Sequence, residues 1–299
     1  MENLLLLILC FSLGLIFKLS GLIEEKASDA LNVLIIYLAL PALALLYTHS
    51  LPLGPELFLP ASMGWIVFFL GYWFFTFIGK LLGLDRKTVV CLTLVGGLGN
   101  TSFVGLPLIE VAFGPDYIGI GMLCDQAGSF LALSVPGVIL AAKTSGQNIA
   151  TKDLVKRILM FPPLIALILG FTLQPFPFPD WMQGLLARLG SMLTPLAMIS
   201  VGLTLRLGEV TRDIKEVCLG LGFKLLLAPI AIYILFMGIL GLDDIVTRVT
   251  IFEAAMGPMV TAGIIAIRYE LRPRLAASLM GIGTPLSFVT LWGWYQFIQ

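Results

Sequence analysis

Apolar runs long enough to cross a bilayer recur ten times in this sequence, and the links between them are short. They fall at about residues 3–18, 30–48, 60–83, 88–111, 118–142, 156–173, 182–205, 214–240, 246–267 and 274–297. A helix needs roughly 20 mostly apolar residues to satisfy its own backbone hydrogen bonds across the hydrocarbon. Composition agrees, because only 12% of residues are charged and 59% are hydrophobic, whereas about a quarter of a soluble domain is charged. The expected class is an all-α membrane protein with ten transmembrane helices. Equal numbers of acidic and basic residues, 18 of each, give no field that would attract nucleic acid. Cys10, Cys91, Cys124 and Cys218 lie inside apolar runs without paired spacing, so they read as small core residues rather than a disulfide framework or a metal site. The run from Leu4 to Phe17 has no basic residue before it and Lys18 after it, which reads as a retained first helix rather than a signal peptide.

Short cytoplasmic loops keep Lys and Arg, so the basic residues orient the chain. Lys18, Lys26, Lys80, Arg86, Lys87, Lys143, Lys152, Lys156, Arg157, Arg206, Arg212, Lys215, Arg268, Arg272 and Arg274 all fall in odd-numbered loops. Arg188 and Arg248 fall on the other face, and Lys224 lies within the eighth run. A miscounted helix would scramble this separation. It places the odd loops in the cytoplasm and both termini outside, as in a multi-pass protein of the cell (plasma or inner) membrane.

An internal repeat organises the ten runs. At an offset of 158 residues, Leu82-Gly83-Leu84-Asp85 falls on Leu240-Gly241-Leu242-Asp243, Gly99 on Gly257 and Gly105 on Gly263. Pro41 and Pro195 are a similar landmark in runs two and seven. Five helices per half must enter the membrane from opposite sides, so residues 1–148 and 149–299 form a 5+5 inverted repeat. Runs four and nine are interrupted at matching places, at Gly96-Gly97-Leu98-Gly99-Asn100-Thr101 through Gly105 and Pro107, and at Gly257-Pro258 through Gly263. An interrupted helix offers free N–H groups and a positive dipole end to an anion. Close helix packing or a simple kink is the bland alternative; two breaks in register favour a binding site.

Ionisable groups at mid-depth need a partner, a protonation change or a function. Asp125, Lys224 and Glu253 are the three candidates. They suit ion coupling, a carboxyl alternating between a neutral and a charged form, or else a static salt bridge of Lys224 with Asp125 or Glu253. Gln126 can hydrogen-bond a substrate or bridge helices. Glu110, Glu56 and the single His49 sit near the outer face, and His49 reads as no metal ligand.

Residues 99–114, Gly-Asn-Thr-Ser-Phe-Val-Gly-Leu-Pro-Leu-Ile-Glu-Val-Ala-Phe-Gly, resemble the Asn-Thr…Gly-x-Pro-Leu segment of the auxin efflux carrier family, which includes bacterial organic-anion permeases and plant PIN-FORMED carriers. Phe161-Pro162-Pro163-Leu164-Ile165-Ala166, Pro195-Leu196-Ala197 with Gly202, and Ala254-Ala255-Met256-Gly257-Pro258 continuing to Arg268-Tyr269-Glu270 extend the likeness over nearly the whole chain. The resemblance implies a sodium/proton-antiporter-like or bile-acid-symporter-like fold in which broken helices 4 and 9 cross. It implies a scaffold of helices 1, 2, 6 and 7, a transport domain of helices 3–5 and 8–10, and a homodimer. By that likeness Asn100 contacts a carboxylate beside the crossing and Pro107 follows it. Plant members carry an Asn-Pro-Asn where this chain has Phe161-Pro162-Pro163, and the loop from Ala142 to Lys156 is short, so the likeness is to a bacterial-type permease rather than to a carrier of auxin itself.

The resulting expectation is a secondary transporter for a small organic anion, a carboxylate, working by elevator-type alternating access, with no enzymatic activity and no cofactor. Asn100, Thr101, Gly105, Pro107, Gln126, Gly257 and Pro258 would bind substrate, and Asp125, Glu253 and Lys224 would couple its movement to a proton. Sodium coupling within the same architecture, and a sterol- or lipid-sensing receptor without flux, are the alternatives. Membrane lipids are the other partner.

Overall fold

A computed structural model describes residues 2–24, 26–147, 150–205 and 213–299, apart from the side chains of Glu56 and Thr151. Arg206 and Arg212, two of the basic residues used for orientation, lie outside the described residues. The described chain is helical. Seven helices are long and apolar enough to span a membrane, and a bent pair brings the number to eight. In order, the elements are α1 (Glu2–Ser20), α2 (Ala27–His49), α3 (Phe58–Leu82), α4 (86–96), α5 (Thr101–Ala112), α6 (Pro115–Thr144), α7 (Thr151–Leu159), α8 (Pro162–Thr172), α9 (Asp180–Thr204), α10 (Ile214–Ile239), α11 (Ile245–Ala254), α12 (Val260–Arg268) and α13 (Pro273–Ile298).

Apolar runs four and nine are therefore each two short helices, α4 with α5 and α11 with α12. Gly and Pro at the breaks withdraw helix-forming residues where the ladder would have to continue. The sixth run is also divided: α7 and α8 meet at 58° around Met160 and Phe161, where Pro162 and Pro163 can start a helix but not continue one. The ring of Phe161 stacks on Phe130 of α6 at 3.9 Å between centroids.

The Leu-Gly-Leu-Asp repeat has a local cause. Gly83 and Gly241 both adopt the left-handed conformation, φ +69° and +68°, which terminates the preceding helix without the steric penalty of a Cβ. An aspartate then caps the next helix. Asp85 accepts from the Thr88 amide at 2.9 Å and the Thr88 hydroxyl at 2.7 Å, and Asp244 accepts from the Thr247 amide at 2.7 Å. The second cap falls one residue later than the repeat offset, on Asp244 rather than Asp243.

Two sets of neighbours emerge. Helix α1 packs along α9, while α8 and the first half of α9 pack on α2. Helix α3 lies on α6, with α4, α10 and α11 against it, and α13 packs on α10, α11 and α12. Buried aliphatic and aromatic residues such as Leu40, Phe68, Phe75, Leu94, Ile109, Phe223 and Leu279 form one continuous core. Cys10, Cys91 and Cys124 are buried in it, but Cys218 is exposed. Its place on an apolar helix does not make it a core residue, because a membrane helix also shows apolar surface to lipid.

Candidate functional site

The two breaks cross each other and are joined through their backbones. Asn100 donates its amide to the Gly257 carbonyl at 2.8 Å, and Met259 donates to the Leu98 carbonyl at 3.0 Å. Gly99 and Pro258 thus face each other as an antiparallel bridge. Each extended segment satisfies backbone groups that the interruption of the other had freed, which is how irregular backbone survives inside a protein at membrane depth. Helices α5 and α12 begin at this crossing, while α4 and α11 end there. Two positive and two negative dipole ends converge on one place.

The side chains around the crossing divide by what they leave unsatisfied. Asn100 caps α5 by accepting from the Phe103 amide at 3.3 Å, but its Nδ2 is buried without a partner. Asp125, on α6, accepts from the Thr101 hydroxyl at 2.6 Å and from the Gln126 amide at 2.5 Å. Gln126 Oε1 remains unpartnered. Glu253 near the end of α11 is fully buried, and neither carboxyl oxygen has a partner among the described residues. Its carboxyl lies against α5: a Cβ added to Gly105 would fall 2.5 Å from both oxygens. Glycine at 105 is what admits the carboxylate.

Lys224 is buried on α10, and its Nζ donates to the Ala254 carbonyl at 2.7 Å, at the negative end of α11. The same ammonium lies beside Gly99, where a Cβ would meet Nζ at 3.3 Å. Among the described residues no ion pair joins Lys224 to Asp125 or Glu253. The static salt bridge expected as one alternative is absent; the helix end takes the cation's hydrogen bond instead. The segments carrying Thr101 and Gly105, Asp125 and Gln126, and Lys224 are π-helical turns, a widening of the helix that is frequent at functional sites.

The structure thus brings Asn100, Thr101, Gly105, Asp125, Gln126, Lys224, Glu253, Gly257 and Pro258 to one region. Pro107 is buried one turn further along α5. Glu110 is only half-buried and reaches the other set of helices, accepting from Asn3 Nδ2 of α1 at 3.2 Å. His49 Nε2 lies 2.9 Å from the Phe176 carbonyl and the ring stacks on Phe178. No group of three or more His, Cys, Asp or Glu that could hold a metal occurs among the described residues.

One cavity near the crossing was not visible in the sequence. A cavity of about 520 Å3 opens between α2 and α9 on one side and α12 and α13 on the other. Lys26 and Asp29 line it, together with Asn32, Thr204 and Thr284, and Val260, two residues past Pro258, forms part of its wall. Asn32 could have signalled it, as a polar residue within an apolar run; its Oδ1 accepts from Ser200 of α9 at 2.7 Å.

The buried crossing of two broken helices, with polar groups left free inside an apolar bundle, is the construction of a membrane transporter. The chain matches the family described as Membrane transport protein over residues 1–295 and belongs to it, the auxin efflux carrier family that its motifs resemble. It is a multi-pass membrane transporter and not an enzyme. An "Uncharacterized transporter" of Methanothermobacter thermautotrophicus is 29% identical, covering 98% of this chain and 96% of its own. An "Uncharacterized transporter" of Methanocaldococcus jannaschii is 28% identical, over 98% of both chains. A Rhizobium meliloti protein named "Putative malonate transporter" is 27% identical, over 96% of this chain and 93% of its own.

Proposed function

We propose that the chain is a proton-coupled secondary transporter of a small carboxylate, bound at the crossing of α4–α5 with α11–α12. The observation that carries this reading is Asn100: a buried amide with a free Nδ2, at the positive end of α5. Such a donor, with the helix dipole behind it, suits an anionic oxygen. The name of the Rhizobium relative supports a small dicarboxylate as the class to try first.

Charge bookkeeping supports the proton. If Asp125 and Glu253 are both ionised, the crossing carries two negative charges against the one positive charge of Lys224, and an arriving anion is repelled. A buried, ionised carboxylate with neither oxygen hydrogen-bonded is costly, whereas the protonated acid carries no net charge. Glu253 as a neutral acid leaves Asp125 and Lys224 in balance and lets the anion bind. Anion and proton then travel together. Sodium coupling is the competing reading, favoured by the three unpartnered oxygens of Glu253 and Gln126.

Counting α4 with α5 and α11 with α12 as one crossing each, and α8 as the sixth crossing, gives ten, arranged as a 5+5 inverted repeat, with both termini outside and the basic loops in the cytoplasm. The matching glycine and aspartate caps after α3 and α10 support this arrangement, as does the backbone exchange between the two breaks. The closer packing of α1, α2, α8 and α9 on one another than on the remaining spans supports a scaffold against which a transport domain slides. The cavity beside Lys26 is then the cytoplasmic approach. Uptake into proteoliposomes of malonate and a panel of mono- and dicarboxylates, with pH and sodium varied separately, tests the proposal. Uptake driven by an inward proton gradient and insensitive to sodium is the expected result; flux that follows sodium, or flux retained in Asn100→Ala, contradicts it.

A further inference from the structure

Helix α7 stands outside the transport machinery, and its surface has its own chemistry. It turns 58° away from α8, off the axis of that crossing. On a helical wheel at ~100° per residue, Leu154, Val155, Ile158 and Leu159 occupy one arc and Lys152, Asp153, Lys156 and Arg157 the other. Leu154 is buried against the protein, but Val155, Leu159 and the adjoining Met160 are exposed. Lys152, Lys156 and Arg157 are exposed as well, and no carboxylate among the described residues pairs with them.

An apolar arc only half covered by protein, bordered by unpaired cations, is the pattern of a helix lying at a membrane surface. A water-facing loop would gain nothing from exposing Val155, Leu159 and Met160 together. At the level of the hydrocarbon core, Lys152, Lys156 and Arg157 within nine residues would be costly, whereas at the membrane surface their charges stay in water. The stack of Phe161 on Phe130, 3.9 Å apart and inclined by 12°, anchors the bend to α6 and holds α7 at its angle.

We propose that α7 lies in the membrane–water interface, inserting Val155, Leu159 and Met160 among acyl chains and binding anionic phospholipid headgroups through Lys152, Lys156 and Arg157. The occupant is a lipid of the leaflet that α7 touches, selected by negative charge. This is independent of what the crossing transports.

The test uses the full chain purified in detergent, exchanged against equal phosphatidylcholine and phosphatidylglycerol, with retained lipid read by native mass spectrometry. The parent protein should be enriched in phosphatidylglycerol. Each basic residue at such a surface strengthens binding by about fivefold, so the Lys152→Gln/Lys156→Gln/Arg157→Gln variant should lose at least about tenfold of that enrichment. Arg188→Gln, an exposed residue elsewhere, should retain it, and matching thermal unfolding of all three proteins confirms that folding is unchanged. Equal retention of the two lipids by the parent, unchanged enrichment in the triple variant, or an equal loss in Arg188→Gln would overturn the proposal.

Discussion

The two helix breaks occupy equivalent places 158 residues apart, yet they are finished by different chemistry. At the first, Asn100 caps α5 with its Oδ1 and keeps an amide proton donor free, and Thr101 reaches across to Asp125. At the second, Pro258 stands where the repeat places Asn100, and α12 starts without any side-chain cap. Its polar character comes from elsewhere: Glu253 at the end of α11, and Lys224 delivered from α10 to the Ala254 carbonyl. The difference teaches a division of labour. Under the proposed function, the first break would present hydrogen-bond donors to the anion and the second would set the charge that the anion meets.

Breaking the first half of that division should have the largest effect. A hydrogen bond from a neutral donor to an anion contributes roughly 1.5–3 kcal/mol, so Asn100→Ala should weaken carboxylate uptake by about 10- to 100-fold, while the lost cap costs only about 1 kcal/mol of stability. Arg188→Ala, far from the crossing in sequence and exposed, should transport normally in the same liposomes. Lys224→Met acts on the second half. It removes the positive charge and leaves the Ala254 carbonyl buried without its donor, which costs about 1–3 kcal/mol; both anion affinity and the unfolding temperature should fall.

Gly105→Ala probes the contact between the halves. The new methyl would come 2.5 Å from the Glu253 oxygens, and overpacking of this kind costs about 1–3 kcal/mol. A thermal shift assay should show that loss, with Gly114→Ala as a comparison at a site where the added Cβ meets no atom, although its positive φ carries its own strain. The smallest expected effect is at Asp85, in the link before α4. Partial burial pushes its carboxyl up, but the Thr88 hydrogen bonds and the Arg272 guanidinium outweigh this and hold it below the ordinary aspartate range. Its contribution is therefore present above the unfolded value of ~3.9 and is lost as pH falls through the lower folded value. Asp85→Ala should cost about 1 kcal/mol as a lost cap near neutral pH, a deficit that narrows on strong acidification.

Much of this architecture was legible in the sequence because lipid enforces it. Long apolar runs must be helices, so α1, α2, α3, α6, α9, α10 and α13 follow from hydrophobicity alone, and Gly and Pro placed the breaks within runs four and nine. Side-chain reach was not legible. Lys224 and Glu253 were both identified as buried charges, but nothing in their spacing showed that the lysine would turn to a helix-end carbonyl and leave the carboxylate without a partner. Cys218 was misplaced for a related reason, since hydropathy alone does not tell a lipid-facing position from a core position. Helix α7 could have been found: Leu154, Val155, Ile158 and Leu159 alternate with Lys152, Lys156 and Arg157 at helical spacing, but they lie partly outside the apolar run that defined the sixth span. The cavity beside Asn32 and Thr284 depends on how four helices pack, which no single run encodes.

The central claim is that the anion binds only while Glu253 is neutral. It is tested most directly by measuring malonate affinity of the purified protein as pH is raised from neutral, side by side with Glu253→Gln. The parent's affinity should fall more steeply with rising pH than that of the permanently neutral glutamine variant, the extra slope approaching about tenfold per pH unit where Glu253 ionises. A Glu253→Gln variant whose affinity follows the same slope as the parent's would contradict it.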